Sequence, residues 1–314
     1  MMMHHLRALA AGLILAGGSA GAAAQTLPPI DLREGFENGN LNVGVLQPCY
    51  RPENVELDQQ ETVRIGRWAA SLTVNPAPTD LLKARPSSTC MDPADPDAPF
   101  EDDGTERAEL WERKDVRLPF GTEAWYGFSM FIGDTVPAEN SGRLVIGQWK
   151  QGGGKSPFVA QRFTDRNFSV TIQQDAADGN ECRILLAYQQ DPPPQAESVN
   201  SVTGDPCMQD VTIQRFGHLP NPFGSWTDMV YRIKASPEGQ GVVEVWAGGK
   251  LYARATGRIG YRTEPTTQYF KFGPYRDQAT FSTTTYLDAF ARGTAYEVVA
   301  MGGGDREIVV TSSD

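Results

Sequence analysis

Histidine is scarce in this chain. Of three in 314 residues, His4 and His5 fall in the first 24, leaving His218 as the only imidazole beyond them. That excludes a zinc site built on two histidines. Long apolar runs are lacking after residue 24, so no later segment can span a bilayer as a helix. A basic surplus is lacking as well: 28 Lys and Arg face 39 Asp and Glu, a formal net charge of −11. Nucleic acid is therefore excluded as a partner, because phosphate binding needs a concentrated basic surface. An acidic ligand gripped in one cleft is not excluded, since the local field decides that case. Helical periodicity is nearly missing, and there is no internal repeat or low-complexity tract.

The first residues read as a leader. Arg7 precedes an apolar run from Leu9 to Ala16, and small residues from Gly17 end in Ala22-Ala23-Ala24 before Gln25. This pattern predicts a secretory signal over residues 1–24 and a soluble, secreted or periplasmic mature chain over 25–314. The four cysteines, Cys49, Cys90, Cys182 and Cys207, fit two disulfides in an oxidising compartment. Cys49 with Cys90 and Cys182 with Cys207 is the favoured pairing, since each closes a separate loop-rich stretch; four cysteines allow two other pairings.

From Glu106 onward, short runs rich in Val, Ile, Phe, Tyr, Trp and Thr alternate with Gly, Pro, Asn and Asp. Val242 to Trp246 and Lys250 to Ala253, separated by Ala247-Gly248-Gly249, form a hairpin signal. Strands are expected also at Leu41–Leu46, Glu106–Leu118 and Ala295–Val299, and a short helix at Thr79–Ala84. So many strands in one mature chain predict an all-β fold, a jelly-roll sandwich of two antiparallel sheets of the concanavalin or lectin type, forming a single domain.

One stretch carries more chemistry than the others. As a strand, Tyr269-Phe270-Lys271-Phe272-Gly273-Pro274-Tyr275-Arg276 puts Phe270 and Phe272 on one face and Tyr269, Lys271, Gly273 and Tyr275 on the other. Phenols and an ammonium along an open face can grip an acidic sugar chain and move a proton on it. Arg107-Ala108-Glu109-Leu110 sets Arg107, Glu109, Trp111 and Arg113 on one face, and Gly147-Gln148-Trp149-Lys150 is a third such run.

Together these three stretches resemble the R-x-E-L, Q-x-H and Y-F-K-x-G-x-Y signatures of the jelly-roll polysaccharide lyases, a group that includes the heparin lyase I type, the glucuronan lyases and the related alginate lyases. Weaker echoes at Trp125–Ser129, Trp226–Asp228 and Tyr286–Asp288 extend the resemblance over about Thr105 to Val299. It implies β-elimination at a uronic acid, with an acidic polysaccharide as partner and no required cofactor. By the same resemblance, Arg107 and Gln148 neutralise the substrate carboxylate and Tyr275 transfers the proton. Lys271, Tyr269, Glu109, Arg113 and Arg276 are expected at the substrate. Lys150 stands where the group has histidine, which favours elimination on one face of the sugar by a single tyrosine, as glucuronate or mannuronate permits.

Two rival readings remain, a carbohydrate-binding protein without catalysis and a laminarinase-like glycoside hydrolase. The second rests on Glu56-x-Asp58-x-x-Glu61, three carboxylates that a bulged strand brings to one face. Weak calcium candidates are Glu101-Asp102-Asp103-Gly104 and Asp288, although the spacing matches no EF-hand. His218, in a turn-rich loop, reads as structural. Arg162, Lys155 and Arg113 read either as ordinary surface charge or as an extension of a basic groove. A monomer is expected.

Overall fold

Alternation along the strands sorts the side chains into one buried face and one open face per sheet. The computed structural model describes residues 28–41, 44–50, 52–59, 62–76, 105–138, 142–152, 154–262 and 267–301. In chain order the strands begin with β1 (Leu32–Glu34), β2 (Leu46–Tyr50), β3 (Val55–Asp58), β4 (Ala69–Val74), β5 (Thr105–Arg107) and β6 (Glu109–Glu112). There follow β7 (Leu118–Pro119), β8 (Ala124–Ile132), β9 (Leu144–Gln151), β10 (Val159–Thr164), β11 (Asn167–Asp175), β12 (Glu181–Tyr188) and β13 (Ser198–Asn200). The last are β14 (Val211–Arg215), β15 (Thr227–Lys234), β16 (Ser236–Ala247), β17 (Lys250–Ile259), β18 (Thr267–Asp277) and β19 (Thr283–Gly293), then one helical turn, α1 (Tyr296–Val299).

These strands form two antiparallel sheets in a jelly-roll sandwich. One sheet runs β13-β12-β11-β10-β9-β18-β6-β2, with β5 and β7 also paired to β18. The other runs β14-β17-β16-β15-β8-β19-β4-β3, with β1 on β19. Between them lies an aromatic cluster. The fully buried Trp149 meets Tyr231 at 4.5 Å, Phe270 at 4.9 Å and Tyr126 at 5.7 Å between ring centroids. Removing such a ring costs about 3–5 kcal/mol. Because Trp149 and Phe270 point inward, their chain neighbours Gln148, Lys150 and Lys271 are turned to the outer face of the same sheet.

Two ion pairs are sealed inside. Arg276 meets Glu106 at 2.7 Å, and Arg292 meets Glu112 at 2.7 Å. Arg292 also donates to the carbonyls of Pro29, Ile30 and Val116, tying the start of the described chain to β19.

The expected run Glu106–Leu118 is interrupted at Ala108 and by a turn at Lys114–Val116, giving three short strands. The strand expected at Leu41–Leu46 forms later, as β2. Ala295–Val299, expected as a strand, contains α1 instead. One helical turn brings Tyr296 and Val299 to the same side, where Tyr296 packs on Trp125 and Trp246 and Val299 is buried. Cys182 and Cys207 are bonded, with Cα atoms 5.8 Å apart. The Cys49–Cys90 pairing involves Cys90, which lies outside the described residues, as do the leader, Thr79–Ala84 and Glu101–Gly104. Among the described residues, no helix is long and apolar enough to cross a membrane.

Candidate active site

The outer face of the sheet containing β18 carries a groove of about 1040 Å³, lined by residues of β5, β9, β10, β11, β12, β13 and β18 and of the loops beside them. Seven of its lining side chains are cationic (Arg107, Arg143, Lys150, Lys155, Arg162, Arg183 and Lys271), against one carboxylate, Glu181. A chain of strongly acidic composition thus concentrates positive charge in one place.

Two irregularities aim the central residues. On β18 the register against β9 shifts between Phe272 and Tyr275, around Gly273 at φ +129°. A Cβ there would lie 2.0 Å from the Ala108 carbonyl oxygen, so only glycine lets β18 approach the β5–β6 break this closely. On β9 a bulge between Val145 and Gln148 changes the alternation. Leu144, Ile146 and Trp149 face the core, whereas Arg143, Val145, Gln148 and Lys150 line the groove.

Tyr275 sits between two guanidinium groups. Arg107, directly opposite it on β5, covers its ring at 4.0 Å. Arg143 donates to the Tyr275 hydroxyl and is held by Asp277, 2.7 Å from the Arg143 guanidinium. Gln148, buried, donates from Nε2 to Glu109 Oε1 at 2.7 Å. The same carboxylate accepts from Trp111 Nε1 at 3.4 Å. Lys271 Nζ lies 3.4 Å above the Trp111 ring. Glu109 therefore lies beneath the groove, fixing Gln148 and balancing the lysines, and is not itself among the lining residues.

Burial pushes the Lys271 ammonium well below its ordinary range, with Lys150 and Arg107 acting the same way and Glu109 opposing. Lys150 is lowered to about 8, chiefly by burial, against the pull of Glu181 and Glu109. It donates to the Lys155 carbonyl. Arg162 is lowered to about 10 by burial and then by Arg183.

The structure brings Arg107, Gln148, Lys150, Lys271 and Tyr275 to one groove. It separates three other residues from that groove. Arg276, on the opposite face of β18, is fully buried with Glu106 and Thr283. Tyr269 packs against Trp111 under the Arg117 guanidinium, 3.9 Å from its ring. Arg113 falls beyond the end of β6, where the chain turns, and pairs with Asp115 at 3.7 Å. Arg162 and Lys155 do line the groove.

Two groove cations were missed. Arg143 is hidden by the bulge, since unbroken alternation assigns it to the face opposite Gln148. Arg183 lies on a legible strand, but nothing local says which sheet receives it.

The rival features lie elsewhere. Glu56, exposed, and Asp58 sit on β3, at the edge of the opposite sheet, and Glu61 is outside the described residues. His218 is exposed beside Asp191, at 3.5 Å, and is not part of the groove. The Asp288 carboxylate accepts backbone N–H groups of Arg64, Ile65 and Ala289; burial raises it to about 6. Among the described residues no group of three or more His, Cys, Asp or Glu could hold a metal ion.

The fold is similar to that of the endo-β-1,4-glucuronan lyase of the fungus Trichoderma reesei (13% identity, TM-score 0.52, covering 78% of this chain and 89% of that one). Alginate lyase A1-II', of polysaccharide lyase family 7, matches at 17% identity and TM-score 0.45, over 78% of this chain and 84% of its own. The cellulose-induced protein Cip1 matches at 11% identity and TM-score 0.47, over 84% of this chain and 97% of its own. No curated protein sequence matches the chain. The sequence profile of the family described as polysaccharide lyase matches residues 50–291, most of the chain, and the protein therefore belongs to the polysaccharide lyase family.

Proposed function

We propose that this polysaccharide lyase is secreted or periplasmic and cleaves a uronate polymer by β-elimination, with glucuronate-containing chains preferred. The observation that carries the reading is the meeting of Arg107, Arg143, Gln148, Lys271 and Tyr275 in one cationic groove. Elimination requires that the charge developing on the sugar carboxylate be neutralised as the C5 proton leaves. Arg107 and the Gln148 amide, held by Glu109, supply that neutralisation, while Lys271 and Lys150 bind the acid groups. Tyr275, between two guanidinium groups that favour its anion, takes the C5 proton. The C4–O4 bond breaks, a C4–C5 double bond forms, and the phenol returns a proton to the departing oxygen. Only protein groups take part in this scheme. A single proton-transfer residue suits substrates whose proton and leaving group lie on the same side, as in glucuronate.

Ultraviolet absorbance of the unsaturated product, measured on glucuronan, alginate, heparin and hyaluronan, tests the reading. Tyr275→Phe is expected to abolish turnover and spare binding; undiminished activity in that variant removes the assigned role. Product from a guluronate-only or iduronate-only polymer, with none from glucuronan, overturns the preference. A carbohydrate-binding protein yields no product, and a hydrolase yields only new reducing ends.

A further inference from the structure

The two guanidinium groups against Tyr275 are both fixed from a neighbouring row of the sheet. Tyr275 itself stands in a cross-strand row with Val145 of β9 and Arg107 of β5. Two residues further along β18, on the same face, comes Asp277, paired with Thr105 of β5. On its other side the Asp277 N–H donates to the Arg143 carbonyl at 3.1 Å, so Arg143, Asp277 and Thr105 make a second row. Thr105 holds one arginine: its Oγ1 accepts from Arg107 Nε at 3.1 Å. Asp277 holds the other more completely. Its Oδ2 accepts the Arg143 backbone N–H at 2.7 Å, while its Oδ1 accepts from Nε at 2.9 Å and lies 2.7 Å from Nη2. The remaining nitrogen, Nη1, donates to the Tyr275 hydroxyl.

A guanidinium gives hydrogens and has no lone pair to receive one. The Tyr275 oxygen therefore accepts from Arg143, and it keeps its own proton, or in the anion a further lone pair, for a second partner. A group that takes a proton from one sugar atom and returns it to another needs that arrangement in both of its charge states. Holding the arginine matters because the pair is open to water: the Arg143 side chain is 38% exposed and that of Asp277 44%. Untethered, so exposed an arginine spreads over many rotamers. The same exposure means that the pair contributes little to stability, so its geometry bears on the phenol more than on the fold. Asp277 is not among the groove's lining residues, and its carboxylate by itself disfavours a nearby phenolate. It helps only through Arg143.

We propose that Asp277 is a positioning residue for proton transfer: from the row beside the reacting one it clamps Arg143 onto the Tyr275 oxygen, as Thr105 steadies Arg107 over the Tyr275 ring. This rests on the lyase reading for the role of Tyr275. The clamp fixes where the phenol's hydrogen bonds go without placing a carboxylate in the groove that an acidic polymer must enter.

Two measurements on Asp277→Ala and Asp277→Ser, each of which removes the carboxylate, test the proposal. The first is the titration of Tyr275, followed by NMR of tyrosine labelled with carbon-13 at Cζ and assigned by its loss in Tyr275→Phe. Removing a carboxylate alone favours a nearby anion and lowers the phenol's titration; releasing Arg143 as well raises it. The other cations facing the phenol, Arg107, Lys150, Arg162 and Lys271, are the same in both proteins. Tyr275 is expected to titrate about one unit higher in both variants, and an unchanged or lower titration overturns the proposal. The second measurement is turnover of glucuronan. Both variants are expected to lose about tenfold or more in kcat with KM within about twofold. Added to Arg143→Gln, either is expected to cost nothing further, because the clamp then has nothing to hold. Undiminished kcat, or losses that multiply in the double variant, overturn the proposal. Failure of the lyase reading is separate: it appears as no unsaturated product from any polymer with unsubstituted protein, and the titration still decides whether Asp277 holds Arg143 on the phenol.

Discussion

Lys150 carries a conflict between stability and binding that a single substitution exposes. Its ammonium is lowered from 10.5 to about 8, mainly by burial. Folding therefore works against the charged form, and stability is reduced below pH 8, where the lysine must be protonated in both states. Between pH 8 and 10.5 the unfolded chain holds a proton that the folded one has released, so stability rises with pH through that window. A shift of about 2.5 units corresponds to about 3 kcal/mol. The side chain keeps some solvent contact, and Lys150→Met also forfeits the hydrogen bond to the Lys155 carbonyl, worth about 1 kcal/mol. The variant is thus expected to be about 1–2 kcal/mol more stable at pH 7, raising Tm by about 2–6 °C. The gain shrinks toward nothing by pH 10.5, while KM for a uronate polymer rises because a groove cation is gone. Thermal unfolding of both proteins across pH 7 to 10.5 checks this. A variant less stable than wild type at pH 7, or a gain that does not change with pH, would refute the reasoning.

Gly273→Ala combines a left-handed φ with a backbone clash and is expected to cost about 2–5 kcal/mol in urea unfolding, with loss of activity as Tyr275 leaves Arg107. Arg292→Met strands the Glu112 carboxylate in the core and should cost about 3–5 kcal/mol by the same assay, with part restored by adding Glu112→Gln. Glu109→Gln removes the charge that holds Gln148 and offsets Lys271. It is expected to cost about 1.5–3 kcal/mol and to lower kcat/KM, read from denaturation and product absorbance.

Period-two alternation was enough to send Phe270 and Phe272 inward and Lys271 and Tyr275 outward, and the same rule read Ala108 and Leu110 as core beneath Arg107 and Glu109. It also assigns Arg276 to the buried face. Expecting that residue at the substrate gave its charge more weight than its position; Glu106, adjacent to Arg107 in sequence, answers the charge inside. The face reversal at Arg143 was not legible, because a bulge on β9 depends on pairing with β10, a strand the local sequence does not name. Tyr269 has the alternation of a groove residue but is covered by Arg117 from the β6–β7 connection. The turn α1 escaped because five apolar-rich residues fit either period and only its packing on Trp125 and Trp246 decides.

β18 lies between β9 and β6, so the strand bearing Lys271 and Tyr275 completes its sheet from both sides at once. During synthesis the ribosome delivers this central piece almost last, long after the flanking strands have emerged. Those earlier segments stay without their shared neighbour until residue 277 is made, and assembly of the groove depends on contacts between remote parts of the chain. A chain cut short before β18 would lose the middle of the catalytic sheet, leaving β9 and β6 without the strand that hydrogen-bonds to both.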